Sequence, residues 1–142
     1  MKRVVLDTNI LVAGLRSRNG ASFGVLSLVA DRVIIPLVTT TLFLEYEAVL
    51  KRPELRGMTN LSVADMELFL RELAALAKPV DVHFSWRPQS SDPADEMVLE
   101  AAVNGRADAL ITHNLKDLAE AAARFGIPAV LPGVFLQEWK DE

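Results

Sequence analysis

Short apolar segments alternate with amphipathic segments along the chain, and this alternation restricts the fold more than any other feature. The pattern predicts strands at 4–6, 33–38, 109–112 and 127–131. It predicts helices at 22–29, 40–50, 62–77 and 93–104, with a further helix that ends near residue 125. Strands that alternate with helices pair in parallel through right-handed crossovers. The sequence therefore predicts an α/β domain, a three-layer α/β/α sandwich with a central, mostly parallel sheet.

Proline and glycine mark several boundaries between these elements. Asp92-Pro93 indicates the start of a helix, and Asn104-Gly105 indicates its end. Pro36 predicts that the second strand lies at a sheet edge or that a strand boundary falls there, because proline cannot donate to the ladder. Residues 15–20 are predicted to form a loop, and residues 80–90 have no clear pattern.

The composition limits the classes of function. A chain of 142 residues suits one domain, 1–142, which would bury roughly 70% of its unfolded surface. The chain has no cysteine and two histidines, so any metal ion would be held mainly by oxygen. No apolar run approaches the ~18 residues of a membrane span, and the first strand leaves no room for a signal peptide. We therefore expect a cytoplasmic protein without membrane contacts.

Three aspartates lie where predicted strands end or helices begin. Asp7 follows the first strand, Asp95 is the third residue of the helix that starts after Asp92, and Asp117 follows the strand that ends at Thr112. Parallel strands share one carboxyl edge, where open α/β sheets bind ligands, so we expect the three aspartates to converge there. For Asp95 alone, capping of the helix is the simpler interpretation.

The helix from residue 40 offers a fourth acid. Its apolar side chains form one stripe at the 3.6-residue period, and Glu45 and Glu47 lie on the two flanks of that stripe. Either glutamate can face the sheet edge, and either can be a solvated surface residue. Periodicity does not choose between them.

A cluster of carboxylates without lysine or arginine would raise the pKa values of its members, so such clusters normally hold a divalent cation. Oxygen ligands favour Mg²⁺ or Mn²⁺, and Mg²⁺ takes one or two carboxylates together with waters and phosphate oxygens. A metal-activated water would then attack a phosphodiester phosphorus. The predicted chemistry is phosphodiester hydrolysis.

Neutral polar residues accompany two of the aspartates. Thr8 or Asn9 would fix the Asp7 side chain or a metal-bound water, and Thr112 with Asn114 would do the same for Asp117. The alternative interpretation is structural, because a strand that ends in Asp-Thr-Asn can simply turn the chain through side-chain hydrogen bonds.

Taken in order, these motifs resemble the PIN-domain ribonucleases. The resemblance is carried by Asp7-Thr8-Asn9, by the acidic helix 42–50, by 92–96 and by 112–118, so it spans nearly the whole chain. Leu44-Glu45-Tyr46 followed by Val49-Leu50 is similar to the small prokaryotic PIN proteins that serve as toxins in toxin–antitoxin pairs.

The resemblance implies a function and assigns the acids. It implies a metal-dependent endoribonuclease with Mg²⁺ or Mn²⁺, an RNA substrate, a small antitoxin protein as partner, and a homodimer. It makes Asp7, Asp95 and Asp117 metal ligands, adds Glu45 rather than Glu47 to the catalytic acids, and makes Thr112 a supporting hydroxyl. Many relatives have an aspartate two residues after the threonine, where this chain has Asn114. Asp92 and Glu96 therefore remain alternatives to Asp117 for completing the cluster.

A net charge of −4 gives no overall attraction to RNA, so a local basic patch must supply it. Arg16, Arg18 and Lys116 lie in predicted loops near the acidic edge and are candidate phosphate contacts. The competing hypothesis is a catalytically inactive PIN-like module that binds RNA or protein, because a fold does not fix a function.

Overall fold

A computed structural model describes residues 1–83 and 92–140 of the chain, so part of the unassigned stretch 80–90 lies outside the described residues. The described part contains five strands, which are β1 (Lys2–Leu6), β2 (Ile34–Val38), β3 (Lys78–Pro79), β4 (Ala109–Ile111) and β5 (Ala129–Val130). It also contains eight helices, which are α1 (Thr8–Arg16), α2 (Ala21–Ala30), α3 (Thr40–Leu50), α4 (Pro53–Thr59), α5 (Val63–Leu76), α6 (Pro93–Gly105), α7 (Leu115–Arg124) and α8 (Pro132–Lys140).

The strands form one parallel sheet in the order β3-β2-β1-β4-β5, with β1 at its centre. Val4, Val5 and Leu6 in β1 are almost completely buried, because helices cover the sheet. The predicted three-layer α/β/α fold is confirmed. None of the helices in the described ranges combines the length and apolar character that a bilayer crossing requires.

The position of β2 corrects one sequence-based prediction. β2 is not an edge strand, since β1 pairs with it on one side and β3 on the other. The register aligns Pro36 with Val4 of β1, whereas β3 pairs only with Leu37 and Val38. The sheet tolerates the proline because β3 is too short to reach it.

Helix α1 is a second correction, because residues 15 and 16 of the predicted loop belong to it. The helix begins at Thr8, directly after β1 and Asp7, where the sequence suggested only a turn. Gly14 lets α1 and α2 approach closely, since a Cβ atom at this position would lie 2.5 Å from Leu26 Cδ1. The tight connection from β1 to α1 keeps Asp7 at the sheet edge.

Helix α6 starts as predicted but ends differently. Asp92 caps its first turn by accepting a hydrogen bond from the Ala94 N–H at 2.9 Å, with Pro93 as the first helical residue. Gly105 is still helical, and Arg106 adopts the left-handed conformation with φ of 53°. A Cβ atom at Gly105 would lie 2.8 Å from Leu37 Cδ1, so this glycine serves close packing against β2.

Candidate active site at Asp7

Asp7 lies at the carboxyl edge of the sheet, directly after the central strand β1. Its backbone N–H donates to the Ile111 carbonyl oxygen of β4 at 3.0 Å, which ties it to the end of the neighbouring strand. The residue occupies the N-cap position of α1, yet its side chain makes no capping hydrogen bond. The carboxylate is thus buried, with 7% of the residue exposed, and is not used to cap α1.

Two side chains orient this carboxylate. Thr112 Oγ1 donates to Asp7 Oδ2 at 2.7 Å, and Asn9 Nδ2 donates to the same oxygen at 3.2 Å. Asn9 also accepts a hydrogen bond through Oδ1 from the His113 backbone N–H at 3.3 Å. The Asp7 carboxylate therefore has a fixed orientation between the ends of β1 and β4.

Burial raises the pKa of Asp7 above 3.8, because desolvation penalises the charged form. Hydrogen bonds from the Thr112 hydroxyl and the Thr8 backbone lower the pKa and offset part of this effect. The charge of Asp92 raises the pKa further, and His113 lowers it slightly. No lysine or arginine within residues 1–83 and 92–140 forms an ion pair with Asp7. The Asp7 carboxylate therefore has no lysine or arginine countercharge among the described residues, which is compatible with a metal-binding role.

A chain of hydrogen bonds links Asp7 to Asp117. Beyond its bond to Asp7, Thr112 Oγ1 accepts a hydrogen bond from the Asn114 backbone N–H at 2.8 Å. Asn114 Nδ2 then donates to Asp117 Oδ2 at 3.0 Å. Asp117 itself is exposed in the first turn of α7. The sequence assigned both Thr112 and Asn114 to Asp117. Asn114 does contact Asp117, whereas the Thr112 hydroxyl donates to Asp7 instead.

The other predicted aspartate lies at the start of α6. Asp95 is in the first turn and is buried, with 5% of the residue exposed. Asp92 is exposed, and its charge acts on the Asp7 carboxyl group. The beginning of α6 therefore contributes negative charge close to Asp7 through Asp92.

Helix α3 carries the two candidate glutamates. Glu47 faces a surface network, in which Lys51 Nζ lies 3.6 Å from Glu47 and 3.4 Å from Glu67. Glu45 and Glu47 are both half-buried, and the Tyr46 hydroxyl between them donates at 2.5 Å to the carbonyl oxygen of Leu6, the residue before Asp7. Glu47 thus has a surface ion pair, and the preference for Glu45 as the catalytic acid stays a prediction from the family resemblance.

The donor atoms at this site are oxygens, which suit a hard divalent cation, but few carboxylates among the described residues are close together. Within the described ranges, no three acidic or histidine side chains are grouped closely enough to hold a metal ion. The predicted convergence of Asp7, Asp95 and Asp117 is therefore not present as a ready-made cage. Mg²⁺ needs only one or two direct carboxylates, and the oriented, desolvated Asp7 could supply one of them.

Sequence reasoning missed one polar pair beside this site. Ser22 Oγ and His113 Nε2 lie within hydrogen-bond distance at 2.8 Å, and Ser22 is a buried residue of α2. The two residues are 91 positions apart in the chain, so only the fold reveals the pair. Among the predicted phosphate contacts, Arg16, Arg18 and Lys116 are all exposed.

Comparison with known proteins identifies the class. A family model for the PIN domain matches residues 3–116, which is most of the chain. The chain therefore belongs to the PIN-domain family, whose members are generally nucleases that usually depend on a divalent metal. Asp7, Glu45 and Asp95 lie within the matched segment, and Asp117 lies just beyond it. A search of curated proteins found no match.

Proposed function

We propose that this protein is a metal-dependent endoribonuclease that hydrolyses RNA phosphodiester bonds at the Asp7 site. The observation that carries the proposal is the Asp7 carboxylate itself, which is buried at the sheet edge and oriented by Thr112 and Asn9. These hydrogen bonds come from neutral groups, and a buried charge without a countercharge is costly, so a position of this kind suggests that a cation completes it. The PIN-domain fold supports nuclease chemistry at this edge.

The proposed ligands are Asp7, Asp95 and Asp117, with Mg²⁺ or Mn²⁺ as the cofactor and Glu45 as a fourth catalytic acid. Asp92 and Glu96 are the alternatives for completing the set. A cation bound here would stabilise charge on the phosphate and lower the pKa of an attacking water. Thr112 and Asn9 hold the Asp7 carboxylate in position, while Thr8 and Asn114 support the turns around it.

Thr112→Val tests the positioning role of the hydroxyl. The substitution keeps the side-chain shape and removes the donor to Asp7, so we expect kcat for RNA cleavage to fall by about 10–100-fold with little change in KM. Thr112→Ser retains a hydroxyl and should recover most of the rate. We would compare kcat and KM of both variants with those of the wild type by steady-state kinetics, and measure melting temperatures to check folding. Equal rates for the valine variant and the wild type would contradict the role.

We further propose that the nuclease is the toxin of a toxin–antitoxin pair, partnered by a small antitoxin protein and acting as a homodimer. The support is the likeness of the segment around Glu45 and Tyr46 to the small prokaryotic PIN toxins. Induced expression of the wild-type chain in a bacterial host is then expected to arrest growth, and expression of Asp7→Asn is not. Equal growth of the two cultures at matched protein levels would contradict the toxin role.

A second candidate is an inactive PIN-like module that binds RNA or protein. The observation that favours it is that the described acids do not form a group of three. One experiment distinguishes the nuclease from the inactive module: labelled single-stranded RNA is incubated with the protein and either Mn²⁺ or EDTA. Cleavage only with Mn²⁺ supports the nuclease, whereas RNA that is bound but intact in both samples supports the module.

A further inference from the structure

An open groove of about 560 Å³ adjoins the Asp7 site. Its walls come from α1, from the turn that leads into α2, from the start of α2 and from His113. Asn9 lines the groove and also donates to the Asp7 carboxylate, while the His113 backbone donates to Asn9. We call this cavity the α1–α2 groove, and it is continuous with the proposed catalytic edge.

The lining of the α1–α2 groove combines the surfaces that a nucleotide needs. Val12 and Ala13 are half-buried and provide an apolar wall. Ser22 and His113 add hydrogen-bonding groups whose positions are fixed by their contact at 2.8 Å. A volume of 560 Å³ lies within the range of roughly 300–1,000 Å³ that is typical of small-molecule sites.

Arg16 supplies the positive charge. It ends α1, lines the groove and is exposed, and it forms no ion pair with any described residue. A guanidinium suits bidentate contact with a phosphate. The apolar wall and the fixed polar groups suit the base of a single nucleotide, and the exposed guanidinium suits its phosphate. A protein partner would favour a larger apolar surface.

We propose that the α1–α2 groove binds the nucleotide next to the phosphate at Asp7, with Arg16 contacting the following phosphate. The inference rests on the proposed nuclease function and specifies its substrate. A base enters such a groove only after leaving its stack, so the site selects single-stranded RNA over duplex. The exposed His113 contacts the base or ribose edge, and the buried Ser22 holds its ring in place.

Binding measurements in the Asp7→Asn background with EDTA test the groove without requiring cleavage. The probe is a fluorescein-labelled eight-nucleotide RNA of mixed sequence, measured by anisotropy as a single strand and as a duplex. Arg16→Ala should weaken binding and reduce the slope of log affinity against log salt by about 0.7, as expected for one lost phosphate contact on a single strand. Ala13→Phe fills the groove and should weaken binding by about fivefold or more.

Matched controls lie outside the groove. Arg71→Ala removes an exposed arginine of α5, and Ala123→Phe adds the same ring to an exposed position of α7. Both should bind like the Asp7→Asn parent, and all variants should melt at similar temperatures. If Arg16→Ala and Ala13→Phe bind as tightly as the controls, or if the parent binds no RNA or prefers the duplex, the groove assignment is overturned.

The outcome separates this inference from the proposed function. If Arg16→Ala cleaves RNA at the wild-type rate and with the wild-type KM, the groove assignment is overturned and the nuclease proposal is left intact. If the wild-type protein does not cleave RNA but the groove variants lose affinity, the catalytic proposal fails and the groove assignment stands.

Discussion

Asp7→Asn is expected to lower the rate of RNA cleavage by more than about 100-fold while making the protein more stable. Loss of a residue that merely orients a metal ligand costs about 10–100-fold, so loss of the proposed ligand itself should cost more. The folded state bears the cost of the desolvated Asp7 charge, as the raised pKa indicates. The neutral amide removes that cost, and we expect the free energy of unfolding to rise by about 0.5–2 kcal/mol.

The stability gain should depend on pH in a defined direction. Well below the unfolded pKa of 3.8, the Asp7 carboxyl group is protonated in both states and carries no desolvation cost. As the pH rises through the raised native pKa, the native state must ionise the buried group, and wild-type stability falls. The advantage of Asp7→Asn should therefore be small near pH 4 and complete above the native pKa. Urea denaturation of both proteins across this range measures it.

Glu47→Gln is the matched control for Asp7→Asn. It also converts an acid to its amide, but its carboxylate pairs with Lys51 at the surface, where ion pairs contribute little. We expect nearly wild-type cleavage and stability. If both variants retain activity, the proposed catalytic role of Asp7 is wrong. If Asp7→Asn unfolds more easily than the wild type at neutral pH, the proposed cost of burying the Asp7 charge is wrong.

The second large effect is stabilisation of the wild-type protein by Mn²⁺ or Mg²⁺. A ligand that binds only the folded state stabilises it by about 2.7 kcal/mol at 100 times its dissociation constant. For a domain of this size, that corresponds to an increase in Tm on the order of 10 °C. Thermal unfolding followed by circular dichroism, in a series of Mn²⁺ concentrations, measures the shift.

Two controls define this result. EDTA should return the wild-type Tm to its metal-free value, and Asp7→Asn should not respond to Mn²⁺ over the same concentrations. An equal Mn²⁺ response in both proteins would mean that the ion binds elsewhere, since the described chain has many exposed acids.

The sequence predicted most elements with a strong local signal. Helices α3, α5 and α6 begin with side-chain caps, in which Thr39, Ser62 and Asp92 accept hydrogen bonds from the first turn. Helices α2 and α7 were predicted although neither has a side-chain cap, whereas α1 was missed. Helix α1 has no side-chain cap, and its apolar residues follow β1 without a break, so the boundary at Asp7 could not be read from periodicity.

Other elements depend on contacts between distant segments. β3 has only two residues and exists through its pairing with Leu37 and Val38 of β2. Helices α4 and α8 were not predicted, and α8 packs against α2. Tertiary contacts of this kind override weak local preferences.

The polar contacts of the site follow from the sheet register, which the sequence does not specify. Leu6 of β1 aligns with Ile111 of β4, so the next residue of each strand, Asp7 and Thr112, become neighbours. The sequence placed both residues at strand ends but could not state that β1 and β4 are adjacent. The Ser22–His113 contact has the same origin, because it depends on how α2 packs beside the end of β4.

The central claim is that the Asp7 carboxylate binds a divalent cation, and anomalous diffraction from wild-type crystals soaked in Mn²⁺ tests it most directly. We predict an anomalous peak about 2.1 Å from an Asp7 carboxylate oxygen, near the start of α6, and no such peak in Asp7→Asn crystals. A wild-type map with no peak at Asp7 under saturating Mn²⁺, or with peaks only at other acids, would contradict the claim.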